Sequence, residues 1–137
     1  MPGTLPEGEP VPEDGSLPCD ATQGFGDTPF GVYVHVPFCR TRCGYCDFNT
    51  YTAAELGGGA SQATYPDLVA QEVDLAAKVL PASGAPVSTV FFGGGTPTLL
   101  APGRLGGIVR KIDESFGLAN DAEVTVEANP EIGRAHV

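Results

Sequence analysis

Basic residues are scarce: seven Lys and Arg face 17 Asp and Glu, a formal charge of −10 over 137 residues. A nucleic-acid surface needs clustered cations, so that class of partner is not expected. No apolar run approaches the roughly 18 residues of a membrane-spanning helix. The first residues also lack the positive and apolar regions of a secretory signal. Cysteine is sparse as well. Four in a chain of this length do not make a disulfide framework, and three lie too close together for ordinary bridging. A reducing, cytoplasmic setting is the expectation. With 42% hydrophobic residues, the chain has the composition of one soluble domain, or of a piece of a larger one.

The charge is unevenly placed. Residues 1–30 hold six acidic side chains and no basic ones; residues 31–137 hold eleven acidic and seven basic. Residues 1–29 also contain six prolines and few large apolar groups, which predicts a disordered extension. Order should begin at Phe30. The run Gly31-Val32-Tyr33-Val34-His35-Val36 reads as a buried strand between Pro29 and Pro37, with the three valines on one face and Tyr33 and His35 on the other. Tyr65 to Leu80 has helical spacing, with Leu68, Val69, Val73, Ala76, Val79 and Leu80 as its apolar stripe. Val87 to Phe92 is a second strand, closed by Gly93-Gly94-Gly95. A second helix is predicted from about Gly103 to Phe116, with Gly117 as its cap, and a third strand from Glu123 to Glu127. Strand, helix, strand, helix, strand implies parallel strands with right-handed crossovers. Functional loops of such a sheet gather at the C-terminal ends of its strands. Cys39–Cys46, Gly93–Pro97 and Glu127–Pro130 all fall at that edge.

Cys39, Cys43 and Cys46 form Cys-x3-Cys-x2-Cys. A structural zinc site closes with four ligands, and a cubane iron–sulfur cluster has four irons to satisfy. Three thiolates from one loop hold three corners and leave one iron open to a small molecule. Zinc with His35 as a fourth ligand is the competing reading, but His35 would have to leave its strand to reach the loop. Arg40 and Arg42 flank the thiolates, either offsetting cluster charge or simply solvated. Cys19 reads as a bystander. Gly93-Gly94-Gly95-Thr96-Pro97 is neither a P-loop nor a dinucleotide fingerprint. It is either a tight strand exit or a bare backbone whose carbonyls accept from a ligand ammonium. Glu127 is either a surface acid or an acceptor for ribose hydroxyls at a strand end. Tyr33 is a core aromatic or a cofactor contact. One histidine on a strand, His35, does not identify a heme ligand.

The triplet, with Tyr45 just before its last cysteine, resembles the radical S-adenosylmethionine superfamily. That resemblance implies a [4Fe-4S] cluster on Cys39, Cys43 and Cys46, and S-adenosyl-L-methionine bound near Tyr33, Tyr45, Gly95, Thr96, Pro97 and Glu127. It also implies an α/β fold, the first three βα units of a partial parallel (βα)6 barrel, over residues 30–131. Tyr33 to Cys46, Asp47-Phe48-Asn49, Gly-Gly-Gly-Thr-Pro-Thr and Glu-Ala-Asn-Pro-Glu are similar to the oxygen-independent coproporphyrinogen III oxidase group. Its oxidases carry a further cysteine where this chain has Phe48. Cys-Asp-Phe-Asn is instead similar to the HemW branch of heme chaperones. The implied partners are heme or porphyrin as cargo, a heme-acceptor protein and an electron donor. Members are longer than this chain, and residues 132–137 do not resemble a family continuation. The isolated chain is therefore expected to expose an open sheet edge, to be poorly stable and to be inactive.

Overall fold

The computed structural model describes residues 7–39, 51–52 and 61–129. Strand β1 (Phe30–Val36) forms where β-branched and aromatic residues alternate between two prolines. It is followed by the short strands β2 (Phe38–Cys39) and β3 (Tyr51–Thr52), which pair with each other. Helix α1 (Tyr65–Val79) leads to β4 (Val87–Gly94), and helix α2 (Pro102–Phe116) leads to β5 (Leu118–Val126). Both helices carry proline in the first turn, where its missing N–H costs nothing. α2 stops at Gly117, whose φ of 78° lies in the left-handed region and whose N–H bonds the Asp113 carbonyl at 2.7 Å. The Asp113 carboxylate then accepts the Leu118 N–H at 2.8 Å, which turns the chain directly into β5.

β1, β4 and β5 form one parallel sheet in the order β1-β4-β5. The fold class inferred from the order of elements is the one observed. Register puts Val34 beside Phe92 and Phe92 beside Val126, so even-numbered residues share a face. On that face Val34, Val36, Val90 and Phe92 pack with Val73 of α1 and Ile108 and Ile112 of α2 to make the core. Lys111 and Asp74 join the two helices at 2.6 Å. Both side chains are partly exposed, so the pair contributes at most about 1 kcal/mol.

Two expectations about elements need correction. β5 starts at Leu118, five residues before Glu123. Val87 pairs with Leu118 and Thr89 with Glu123, so residues 119–122 bulge between two anchored pairs. Asn120 and Asp121 have no strand preference of their own and no partner on β4; the pairs at Leu118 and Glu123 on either side carry the chain across. Leu68, placed on the apolar stripe of α1, is 52% exposed. α1 lies at the β1 edge of the sheet, and Leu68 borders a cleft of about 610 Å³ between that helix and β1 instead of entering the core. The described part of the N-terminal extension is mostly exposed, with a 3-10 turn at Cys19–Thr22. It meets the body where Phe25 packs edge-on against Phe30, centroids 5.0 Å apart. No helix among the described residues is long and apolar enough to cross a membrane.

Candidate functional site

At the C-terminal end of the sheet, three chain segments are fastened to one another through their backbones. The Gly95 N–H donates to the Val36 carbonyl and the Thr96 N–H to the Phe38 carbonyl, both at 2.7 Å. The Glu127 N–H donates to the Phe92 carbonyl at 3.0 Å. The exit of β4 thus extends its pairing along the root of the cysteine loop, while the end of β5 is pinned to β4. Pairing of Cys39 with Thr52 brings the two ends of that loop together. Cys43, Tyr45 and Cys46, like Arg40, Arg42 and Phe48, lie outside the described residues.

The glycine run does more than leave the backbone bare. A Cβ on Gly95 would press on the Phe38 carbonyl and stand 2.9 Å from the Cys39 sulfur. The thiol of Cys39, free and half-buried, therefore sits directly against the glycine loop. A Cβ on Gly94 would come within 2.8 Å of the His35 ring, and its φ of 107° already excludes most side chains. A Cβ on Gly93 would meet the Phe91 ring at 2.9 Å, the Tyr33 ring at 3.0 Å and the Glu127 carboxylate at 3.1 Å. Each missing side chain makes room for a different neighbour: Tyr33 with Glu127, then His35, then Cys39.

The odd-numbered residues of the strands face away from the core and converge here. Tyr33 stacks on Phe91 with centroids 6.0 Å apart, and its hydroxyl shares a hydrogen bond with His35 Nδ1 at 3.0 Å. Tyr33 is 55% exposed and Phe91 37% exposed, so Tyr33 is not a core aromatic. Glu127 is exposed beside them. Thr96 and Pro97 are buried. The N–H groups of Gly95 and Thr96 are spent on the β1–β2 segment, and the Thr96 carbonyl accepts the Leu99 N–H at 3.0 Å. Of the two hydrogen-bonding groups on the Gly95 backbone, the carbonyl is the one with no partner among the described residues. The Thr98 hydroxyl is buried and has no hydrogen-bond partner among the described residues.

Several residues of this region escape a reading of the sequence. Phe38 is buried beneath the root of the cysteine loop and meets Tyr65 edge-on, with centroids 5.3 Å apart. The Tyr65 hydroxyl donates to the His35 carbonyl. Burial pushes the Tyr65 phenol up to about 12, with the negative charges of Glu72 and ionised Tyr33 adding to the effect. Phe91, Gly93 and Gly94 belong to the same cluster. Only the glycines carried a signal, because three in a row at a strand exit require close approach by something.

Known proteins match this arrangement. The solved structure of the coproporphyrinogen III oxidase HemN from Escherichia coli, a radical SAM enzyme, aligns over 86% of this chain and 25% of its own, with a TM-score of 0.68 and 29% identity. The heme chaperone HemW of Mycobacterium tuberculosis is 56% identical over 103 residues, covering 75% of this chain and 26% of that protein. HemW of Escherichia coli is 37% identical over 102 residues, and the mouse mitochondrial radical S-adenosyl methionine domain-containing protein 1 is 38% identical over 104. These regions are 74% and 75% of this chain, and 26% and 22% of those relatives. The chain thus spans about a quarter of the length of the curated relatives it matches. The model of the Radical SAM superfamily matches residues 33–136, which takes in the cysteine triplet, the glycine loop and Glu127. The chain belongs to the Radical SAM superfamily.

Proposed function

We propose that this chain holds a [4Fe-4S] cluster and S-adenosyl-L-methionine for a heme-handling protein of the HemW type, one that binds heme and passes it to an acceptor protein. The observation that carries the first half is the packing of Cys39 against Gly95 at the sheet edge that also bears Glu127. The reading assigns Cys39, Cys43 and Cys46 to the cluster, and the Gly95 carbonyl to the amino group of the cofactor. Glu127 takes the ribose hydroxyls. Tyr33 and Tyr45 flank the cluster, while Thr96 and Pro97 shape the loop. The donor set suits these groups, with thiolates for iron, a carbonyl for an ammonium and a carboxylate for hydroxyls.

When bound, the reduced cluster supplies an electron to the sulfonium of S-adenosylmethionine. The protein's part is geometric. The hydrogen bonds from Gly95 and Thr96 to the β1–β2 segment hold the cysteine loop and the ligand loop in one register, so that a ligand spanning both meets a fixed distance. The exposed Tyr33–Phe91 pair offers an apolar floor beside Glu127 for a flat group. A cytoplasmic, reducing setting keeps the thiolates available. Residues 30–131 are the proposed core segment, and 1–29 a proposed extension to it.

Identity to HemW proteins and Phe48 at the position of the oxidases' extra cysteine favour heme transfer. The HemN likeness favours a second reading, oxygen-independent coproporphyrinogen III oxidase, which turns two propionates into vinyl groups. One experiment separates them. The full-length protein, anaerobically reconstituted, is given hemin in one arm, and coproporphyrinogen III with S-adenosylmethionine and a reductant in the other. Saturable hemin binding without vinyl product is expected; vinyl product over many turnovers would establish the oxidase reading instead.

A further inference from the structure

Among the described residues, β1 is an edge strand. One side pairs with β4, and the Val36 carbonyl continues that side by accepting the Gly95 N–H. Strand carbonyls alternate in direction, so the His35 carbonyl points the other way, where among the described residues no strand of this sheet runs beside β1. That carbonyl lies at the strand end, just before the cysteine loop, where a hydrogen bond to it restrains the backbone. The Tyr65 hydroxyl takes it, from the first turn of α1. The same side chain packs its ring on Phe38, whose carbonyl is held on the other side by Thr96. Cys39 is the next residue.

We propose that Tyr65 is a positioning residue for the cluster: by bonding the His35 carbonyl and packing on Phe38, it fixes the direction in which Cys39 is presented. This rests on the proposed cluster and S-adenosylmethionine site. The hydroxyl and the ring contribute separately. Tyr65→Phe removes the first and keeps the second; Tyr65→Leu removes both.

The test compares the protein with both variants after anaerobic reconstitution with iron and sulfide. Four quantities are read: iron content, thermal midpoint, the rate at which a chelator strips the iron, and the S-adenosylmethionine concentration that half-converts the reduced EPR signal. Tyr65→Phe is expected to load the parental amount of iron and remain folded. It should nevertheless lose iron about 3–10-fold faster and need about 3–10-fold more S-adenosylmethionine, up to the lower bound of what direct outer contacts to metal ligands contribute. Tyr65→Leu should move further in the same direction. Leu68→Ala, half-exposed on the same helix, should change neither quantity, which separates positioning from a general loosening of α1. Parental rates and midpoints in Tyr65→Phe overturn the proposal. Should that variant fail to fold, Phe38→Leu removes the ring partner and keeps the hydroxyl; faster iron loss supports the proposal and a parental rate overturns it. A parent that loads a cluster but ignores S-adenosylmethionine overturns the proposed function, while its chelation rates still decide the role of Tyr65. A parent that takes up no iron and sulfide overturns both.

Discussion

Strands β1 and β4 present two faces that differ in kind, whereas Val124 and Val126 of β5 are exposed even on the helix-covered side. On the helix-covered face Val36 and Phe92 are fully buried and Val34 and Val90 nearly so. On the other, Tyr33 and Phe91 stack in the open, with His35 and Glu127 beside them. Strand alternation alone sorts the residues: the same seven-residue β1 supplies valines to the core and Tyr33 and His35 to the opposite side. A parallel sheet usually buries both faces; under the proposed function, the exposed aromatics and acid of this face meet the ligand. One face should therefore answer to stability measurements and the other to binding.

The sharpest way to break that contrast is to hollow the core. Phe92→Ala should cost about 3–5 kcal/mol in denaturant unfolding, because it leaves a cavity between sheet and helices. Gly95→Ala comes next and crosses the boundary between the two faces. Its Cβ would push on the Phe38 carbonyl and the Cys39 sulfur, so about 1–3 kcal/mol of stability should go together with cluster loading, read as iron per chain. A smaller effect concerns Tyr65. Its phenol titrates near 10 when unfolded and at about 12 in the fold, so the neutral form is the one the fold favours. The sign follows: its contribution is complete below pH 10 and is lost as pH rises from 10 toward 12. Thermal midpoints measured across that range should fall less steeply in Tyr65→Phe. Smallest in stability is Glu127→Gln, an exposed side chain whose replacement should stay within about 0.5 kcal/mol. If Glu127 holds the ribose, the same change should weaken S-adenosylmethionine binding about tenfold by titration calorimetry, the loss of one charged hydrogen bond.

How much of this was legible beforehand depended on whether the signal was local. β1, α1, β4 and α2 follow from periodicity and punctuation, and their ends lie within one or two residues of the proline and glycine signals. The start of β5 does not, because Leu118 is extended by pairing with Val87 and not by any pattern in residues 119–122. Leu68 sits at the right helical spacing but on a helix at the sheet's edge, where the spacing no longer guarantees burial. The gathering of Cys39, Gly95 and Glu127 at one edge follows from topology alone. What each glycine accommodates does not: seating Tyr33, His35 and Cys39 over successive positions is a tertiary fact. Tyr65 gave no signal at all, since it works through a backbone carbonyl 30 residues away.

The central claim is that one sheet edge holds a cluster with an iron open to S-adenosylmethionine. Its most direct measurement is the EPR spectrum of the anaerobically reconstituted and reduced protein, with and without S-adenosylmethionine, alongside iron, sulfide and zinc analysis. About four irons and four sulfides per chain, with a spectrum that changes on adding S-adenosylmethionine, is the predicted result. Stoichiometric zinc without sulfide, or a cluster whose spectrum ignores the cofactor, would contradict it.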